Sequence, residues 1–203
     1  MLKLLALFTM VLDHLGYVFF PEQEWLRWIG RLTMPIFAYT IARGFFYTRS
    51  RKRYLIQLSA LAVISQVPYM LLFDSTQLNM VFPWALAVGA LMLPTWGIPL
   101  MVALPFIIPM DYSSLAVLLP VLIYHFWFKS KRPLILVLSL LATMSAIALL
   151  MGPFQWWALL ALPLIWLLEP FDSKIRLNKW IFYWFYPGHL ILLWLITLAL
   201  AAS

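Results

Sequence analysis

Residues Arg31 to Leu55, RLTMPIFAYTIARGFFYTRSRKRYL, are the most informative segment of the chain. An apolar segment that contains one arginine, Arg43, ends in four cations within five residues: Arg49, Arg51, Lys52 and Arg53. A continuous apolar run bounded by cations is typical of a membrane-spanning helix that ends at the cytoplasmic face. The same cations also suit an anionic ligand, because guanidinium groups make paired hydrogen bonds to phosphate. This stretch alone leaves both interpretations open.

The composition of the whole chain extends the membrane interpretation. Of its 203 residues, 65% are hydrophobic and only 10% are charged, and the mean hydropathy is +0.94. Soluble domains are about half apolar, so this chain has too few charges to cover a water-facing surface. Its apolar runs are long and continuous rather than alternating, which favours helices over barrel strands. We therefore predict an all-α polytopic membrane protein in which residues 1–203 form a single domain.

The distribution of cations predicts the topology. The apolar segments are 4–20, 29–48, 54–73, 79–96, 98–110, 113–128, 133–151, 155–168 and 180–201. With Arg49–Arg53 in the cytoplasm, nine spans leave only Arg27 and Arg31 outside, against twelve inner cations. Eight spans, without a crossing by the short, proline-rich 98–110, would put the basic stretch 129–132 outside. We predict about nine transmembrane helices, with the N-terminus inside, the segment Asp172–Lys179 inside and the C-terminus outside.

Ionisable residues within the predicted spans are candidates for function, because each costs roughly 2.5–3.5 kcal/mol at the centre of a membrane helix. They are Asp13, His14, Arg31, Arg43, His125 and His189. The chain has no cysteine, which excludes disulfides and thiolate chemistry. Three dispersed histidines without cysteine make a poor metal site, so no metal is expected.

Helix geometry relates two of these positions, His14 and His189, to the predicted membrane faces. Lys3 and His14 are eleven residues apart, so they share one helix face with a rise of about 16 Å between them. His189 lies nine residues beyond Trp180, which is about 14 Å from the same membrane face. The two histidines thus come from opposite ends of the sequence to a similar depth.

Each histidine has a structural interpretation beside the functional one. His14 is either packed and satisfied by a neighbouring helix or a catalytic base. Asp13 either orients that imidazole or pairs with an arginine such as Arg31. His189 follows Pro187 and Gly188, so it either makes a structural hydrogen bond at a helix distortion or belongs to the same site as His14.

Several motifs together resemble the TraX family, which is associated with N-terminal acetylation of conjugative pilin. They are MVLDHLGYVFFP, WLRWIGRLTMPIFAYTIARGFFYTRSRKRYLIQLSALAVISQVPY, LNMVF and FYPGHLILL. The resemblance is dense over the first ninety residues and returns near the C-terminus. Residues 91–179 match only as generic membrane helix. It implies kinship with membrane acyltransferases that carry R-x10-H in their first helix, for which Lys3 and His14 give K-x10-H.

The resemblance implies an enzyme that takes acetyl groups from cytosolic acetyl-CoA and acetylates an amine or hydroxyl. His14 would be catalytic, as general base or as acyl-accepting nucleophile, with Asp13 and His189 beside it. The CoA moiety would contact Lys3, Arg43, Arg49, Arg51, Lys52 and Arg53. Groups for the oxyanion or the acceptor would be Asn79, Tyr186 and Arg31. Lysine in place of arginine at position 3 keeps the charge but loses the paired donors.

The expected partners are membrane lipid, acyl-CoA and an acceptor such as a pilin peptide or a glycan, in the bacterial inner membrane. Nucleic acid is not expected, since the net charge of +7 is explained by positive-inside topology. Two other functions stay open at this point. A proton-coupled transporter or channel would use the same histidines and aspartate as a relay. A non-catalytic subunit of an envelope assembly would bind no CoA.

Overall fold

The computed structural model describes residues 1–172 and 178–202, and every regular element in those two ranges is helical. The α-helices are α1 (Leu2–Val18), α2 (Glu24–Gly30), α3 (Thr33–Tyr47), α4 (Arg51–Phe73), α5 (Val81–Met92), α6 (Gly97–Ala103), α7 (Ser113–Ile123), α8 (Pro133–Met151), α9 (Ala161–Asp172) and α10 (Lys179–Ala201). Short 3-10 or π-helical turns extend three of them, at Leu104–Phe106, Tyr124–Lys129 and Pro153–Leu160. The predicted all-α class is confirmed.

Helix α3 lies at the centre of the molecule. Its residues Met34–Ala42 are all buried, because apolar or small side chains cover every face of the helix in this segment, as in a helix surrounded by others. It packs against α1, α5, α7 and α9. The apolar part of the Arg31–Leu55 segment therefore forms the core against which these helices pack.

Two helices in the described part of the chain are long and apolar enough to cross a membrane. They are Arg51–Phe73, with 23 residues and a mean hydropathy of 1.7, and Trp180–Ala201, with 22 residues and 1.6. The other apolar helices are shorter. The segment predicted over 98–110 is a helix of seven residues followed by a 3-10 turn of three, so it rises only about 15 Å.

The connections between helices meet at two ends of the molecule. At the cation end, Asp172 accepts hydrogen bonds from the Met1 amine at 2.8 Å and from Arg43. The rings of Phe46 and Phe128 also stack there, 5.2 Å apart. At the opposite end, which we call the cavity end, the indoles of Trp28 and Trp157 stack at 5.4 Å. Residues 173–177, which belong to the segment predicted to lie inside, are outside the described residues.

A short backbone pairing fixes one connection at the cavity end. The Leu78 N–H donates to the Pro109 carbonyl at 3.0 Å, and the Asp111 N–H donates to the Leu78 carbonyl at 2.9 Å. The link between α4 and α5 is thereby held against the segment that precedes α7. Tyr112 and Ser113 follow with φ of 55° and 51°, a left-handed conformation that is uncommon for residues other than glycine. This backbone presents Asp111 and Tyr112 to the neighbouring cavity.

Candidate active site

A cavity of about 290 Å³ lies at the cavity end, with His14 in its wall. Its apolar and aromatic lining includes Phe37, Phe73, Trp84 and Tyr186. Its polar lining comes from α1, α2, α3, α4 and the connections, and consists of Asp13, His14, Tyr17, Arg27, Arg31, Thr33, Tyr69, Ser75, Gln77, Asp111 and Tyr112. A few polar groups converging in a largely aromatic pocket are the usual composition of a ligand site.

A hydrogen bond joins the side chains of His14 and His189. His14 Nδ1 lies 2.9 Å from His189 Nε2, and the planes of the two rings are 8° apart with their centroids separated by 5.0 Å. His189 Nδ1 lies 2.9 Å from the carbonyl oxygen of Phe185, one turn earlier in α10. The contact between α1 and α10 thus joins the two histidines that the sequence placed at similar depth.

The protonation pattern of this pair follows from the carbonyl, which only accepts hydrogen bonds. His189 Nδ1 must therefore carry the hydrogen, which leaves His189 Nε2 as an acceptor when that ring is neutral. His14 Nδ1 must then donate, so the lone pair of a neutral His14 lies on Nε2. No hydrogen bond to His14 Nε2 is found among the described residues, and this ring lines the cavity. His14 is thus oriented as a base, and its orienting partner is His189.

Asp13 belongs to a different network on the next face of α1. Its Oδ1 accepts from Arg31 Nη2 at 2.6 Å and pairs with Arg27 Nε at 3.0 Å. Arg31 is only 4% exposed, and its other donors reach the Arg27 carbonyl and the Tyr112 hydroxyl. Of the two alternatives for Asp13, the structure thus supplies the arginine pair rather than a contact with His14.

Gly30 allows Asp13 to reach these arginines. A Cβ at position 30 would lie 2.3 Å from Asp13 Oδ1 and 2.4 Å from Asp13 Cβ, distances that no packed side chain accepts. The absence of a side chain on α2 therefore lets α1 and α2 approach closely enough for the carboxylate to bridge both guanidinium groups.

Asp111 is a functional candidate that the sequence reasoning missed. Its carboxylate lines the cavity, and no cation within the described residues pairs with it. Burial raises the pKa of Asp111 to about 6, opposed by the charge of Arg31. Sequence reasoning treated Asp111 as an ordinary polar loop residue. The sequence feature that comes closest to indicating Asp111 is the pair of prolines Pro105 and Pro109. They shorten the helix that precedes the loop carrying Asp111.

Asn79 lies outside the cavity, although the sequence suggested it for an oxyanion or acceptor group. Its amide nitrogen donates to the Ala62 carbonyl at 2.8 Å and to Gln66 Oε1 at 2.9 Å, and its amide oxygen accepts from the Val81 N–H. The side chain is completely buried. These bonds tie α4 to the start of α5, which is a structural role. Tyr186, by contrast, does line the cavity, with its ring 5.7 Å from that of His189.

The cations suggested for CoA lie at the cation end, away from the cavity. Lys3 is exposed, and its amine lies 5.8 Å from the ring of Phe182. Arg43 pairs with Asp172. A group of four exposed cations, which we call the basic cluster, comprises Arg49, Arg51, Lys52 and Arg53. No ion pair involves the basic cluster within residues 1–172 and 178–202, and Arg51 lies over the ring of Phe45 at 4.9 Å.

A family model and one relative match nearly the whole chain, and a second relative matches about a third of it. The family model described as TraX protein matches residues 1–197. A probable fimbrial assembly protein, FimC of serogroup H1, from Dichelobacter nodosus is 29% identical over an alignment covering 95% of this chain and 92% of that protein. An uncharacterized protein of Rickettsia prowazekii (strain Madrid E) is 37% identical over 36% of this chain and 27% of that protein. No solved structure matches this chain.

Proposed function

The chain belongs to the TraX protein family, and from this premise we propose that it is a membrane-embedded acetyltransferase. It would take the acetyl group of cytosolic acetyl-CoA and pass it to an amine or hydroxyl at or across the bacterial inner membrane. The family match includes residues 91–179, for which the sequence offered no specific motif. A relative named for fimbrial assembly supports a fimbrial or pilin subunit as the acceptor.

The observation that carries this proposal is the chain of hydrogen bonds from the Phe185 carbonyl through His189 to His14. It leaves a lone pair on His14 Nε2 at the wall of a cavity large enough for a small acceptor group. A neutral histidine held in one tautomer by a second group is the arrangement that general-base catalysis requires. Here the second group is an imidazole rather than a carboxylate.

In the proposed reaction, the acceptor nitrogen or oxygen attacks the thioester carbonyl carbon while its proton moves to His14 Nε2. The tetrahedral intermediate then collapses, the carbon–sulfur bond breaks, and the imidazolium returns the proton to the departing sulfur. The products are the acetylated acceptor and the free CoA thiol. Tyr186 is our candidate donor to the oxyanion, since its ring lines the same cavity.

An acetyl-imidazole route uses the same lone pair. His14 Nε2 would attack the thioester directly and release CoA before the acceptor arrives. The two routes differ in one measurement. A burst of free CoA in the absence of acceptor, equal to the amount of enzyme, supports the acetyl-imidazole. Release of CoA only when acceptor is added supports the general base.

For the donor, we propose that the basic cluster holds the phosphates of acetyl-CoA. It is exposed, it carries four positive charges, and it has no ion pair among the described residues. Arg43 would join the site only by exchanging Asp172 for a phosphate. The acetyl group must then travel about 16 Å along α1 to reach His14. Phe182 lies beside the Lys3 amine, Phe37 lines the cavity, and their rings are 5.4 Å apart.

The nine-span topology belongs to the same proposal. The pairing of Leu78 with 109–111 supports it, because both connections then lie at the cavity end and Gly97–Phe106 must run back between the ends. The chain has no cysteine, so single cysteines report topology directly. We expect an impermeant thiol reagent to label Thr76→Cys in intact cells, and Ser50→Cys and Ser130→Cys only after permeabilisation. Labelling of Ser130→Cys in intact cells would exclude the nine-span arrangement.

The catalytic assignment is tested with His14→Ala and a matched control, His125→Ala. His125 is also a half-buried histidine, but it binds the Val121 carbonyl in its own helix and does not line the cavity. We expect His14→Ala to lower transfer from labelled acetyl-CoA by about 10²–10⁴-fold and His125→Ala to leave it near the wild-type rate. Equal rates for His14→Ala and wild type, at equal amounts of inserted protein, would refute the proposal.

A non-catalytic role in fimbrial assembly is the second candidate, favoured by the name of the Dichelobacter nodosus relative. It predicts no ligand at the basic cluster. Thermal unfolding of the purified protein separates the two functions, because a ligand that binds only the folded state raises the unfolding temperature. Stabilisation by CoA supports the enzyme, and an unchanged unfolding temperature at millimolar CoA supports the assembly role.

A further inference from the structure

We propose that a groove between α4 and α10 binds an anionic phospholipid, with one acyl chain in the groove and the phosphate at Arg53. The groove has a volume of about 240 Å³, and residues of these two helices alone line it. The inference rests on insertion of α4 and α10 in a membrane. It goes beyond the proposed acetyl transfer and does not depend on it.

The first argument is the position of the groove. It lies between the two helices of the described residues that are long and apolar enough to cross a membrane. Both helices begin at the cation end, and the groove follows α4 from Ile56 to Ile64, a rise of about 12 Å. It therefore starts about one turn inside the helix ends and runs toward the middle of the membrane. An acyl chain that descends from the headgroup region follows the same path.

The second argument is the wall of the groove, which suits a hydrocarbon chain. Ile56, Ile64 and Trp184 line it, and each is more than half exposed. Ala60 is the smallest lining residue and leaves the space between the larger side chains. Packing contacts, rather than exclusion of water, stabilise an association inside a bilayer. The wall of this groove gains those contacts when a chain fills it.

The third argument is the cation at the start of the groove, Arg53. Gln57, Ala60 and Ile64 follow it at four, seven and eleven residues, which are positions on one face of a helix. Arg53 is exposed and has no ion pair among the described residues, and neither α4 nor α10 contains an acidic residue. Guanidinium groups make paired hydrogen bonds to phosphate, and basic pockets between membrane helices bind anionic headgroups.

The groups next to Arg53 suit the glycerol region of a phospholipid. Trp180 lines the groove in the first turn of α10, and tryptophan is enriched at this depth in membrane proteins. The Tyr183 hydroxyl donates to Gln57 Oε1 at 3.4 Å. The amide nitrogen of Gln57 makes no hydrogen bond within the described part of the chain, so it can donate to an ester carbonyl of the lipid.

The neighbouring cation Arg51 lies on another face of α4. It precedes Arg53 by two residues, which is about 200° around the helix, and its guanidinium lies 4.9 Å from the centre of the Phe45 ring. Arg51 is therefore turned away from the groove. The two arginines of the basic cluster thus differ, because Arg53 faces the lipid site whereas Arg51 stays with the proposed donor site.

The test uses two photoreactive lipids that differ only in the headgroup. The purified full-length protein is placed in phosphatidylcholine nanodiscs with a trace of phosphatidylglycerol or phosphatidylcholine that carries a diazirine on one acyl chain. After illumination, mass spectrometry of peptides maps the labelled residues. The variants are Arg53→Gln with its control Arg51→Gln, and Ala60→Phe with its control Val63→Phe. Val63 is an exposed residue of α4 outside the groove.

We expect the phosphatidylglycerol probe to label the groove about fivefold more than the phosphatidylcholine probe, the ratio that one basic residue near the membrane surface provides. Unlabelled phosphatidylglycerol should compete for this labelling. Arg53→Gln should reduce it to the level of the phosphatidylcholine probe, and Ala60→Phe should abolish it, whereas both controls keep the wild-type pattern. Equal labelling of the groove by the two probes, or the same loss in Arg51→Gln as in Arg53→Gln, overturns the site.

Two other occupants of the groove give different results. An unlabelled groove in a protein that elutes as a dimer would assign the groove to a second copy of the chain. Loss of the labelling on addition of CoA would assign it to the donor. Either result overturns the lipid site. The labelling uses neither acetyl-CoA nor acceptor, so its failure leaves the proposed function standing, and insensitivity of acetyl transfer to His14→Ala refutes the proposed function alone.

Discussion

The two ends of the molecule treat charge in opposite ways. At the cavity end, Asp13 forms ion pairs with Arg27 at 3.0 Å and with Arg31 at 2.6 Å, and Arg31 is almost fully buried. At the cation end, the basic cluster is exposed and unpaired within the described residues. The first arrangement fixes side chains in place, whereas the second attracts an anion without defining its position. We infer that chemistry belongs to the cavity end and capture of a mobile donor to the cation end.

Asp111 and Asp172 show the same difference between the two ends of the molecule. Burial raises the pKa of Asp111 to about 6 at the cavity end. At the cation end, burial also acts to raise the pKa of Asp172, but hydrogen bonds from the Met1 amine and the Leu2 N–H, with the charge of Arg43, hold it below its usual value. One carboxylate lacks a cation partner and the other has two.

The largest expected effect is on stability, at the paired network of the cavity end. Asp13→Asn leaves Arg27 and Arg31 without their shared counterion in a partly buried site. Breaking a buried charge network in this way costs about 3–5 kcal/mol. We expect a large drop in the thermal unfolding temperature in detergent, followed by tryptophan fluorescence. The exposed Asp74→Asn serves as control, and equal unfolding temperatures for both variants would contradict a structural role of the network.

The next effect is on catalysis, at the contact between the two histidines. His189→Ala removes the acceptor that fixes His14, and we expect kcat to fall about a hundredfold, within the range for a misoriented general base. His189→Gln supplies a side-chain oxygen that accepts from His14 Nδ1, so it should recover part of that loss. The pH profile of kcat should shift in His189→Ala, since the environment of His14 changes. An unchanged pH profile with equal losses in both variants would reduce His189 to a packing role.

A smaller effect is expected at the cation end, where no single contact is fixed. Arg51→Gln with Arg53→Gln should weaken CoA binding about tenfold, and the loss should shrink as salt rises, because exposed charges are screened. The control is Lys129→Gln with Arg132→Gln, which removes the same charge from another exposed connection. Equal weakening by both pairs would mean that net charge alone attracts CoA. Equal affinity with altered membrane topology would leave the cluster as a topology signal only.

Sequence reasoning reached the fold class and the similar depth of His14 and His189, but neither their contact nor the polar cavity. Continuous apolar runs identify helices, and helical periodicity placed His14 and His189 at similar depth. The pairing of Asp13 with Arg31 stayed one of two alternatives, because adjacent helical residues point in different directions and only packing shows the partner of each. Asn79 was misplaced into the candidate site, since a buried amide looks the same in sequence whether it caps a helix or faces a ligand. Asp111 was missed because its position at the cavity depends on the loop backbone at Tyr112 and Ser113, where φ is positive.

The smallest effect we predict is a pH dependence that separates the two ends. Asp111 has a pKa of about 6 in the folded protein against about 3.9 in an unfolded chain. The folded state therefore binds its proton more tightly, and stability should rise as the pH falls from 7 to 5, by about 1 kcal/mol from this residue. Asp172 is shifted in the opposite direction, so its contribution is lost only below about pH 4. Asp111→Asn should remove the gain between pH 7 and 5, whereas Asp172→Asn should leave it in place. A gain that survives in Asp111→Asn would show that another group takes up the proton on folding, and the contrast between the two aspartates would lose its support.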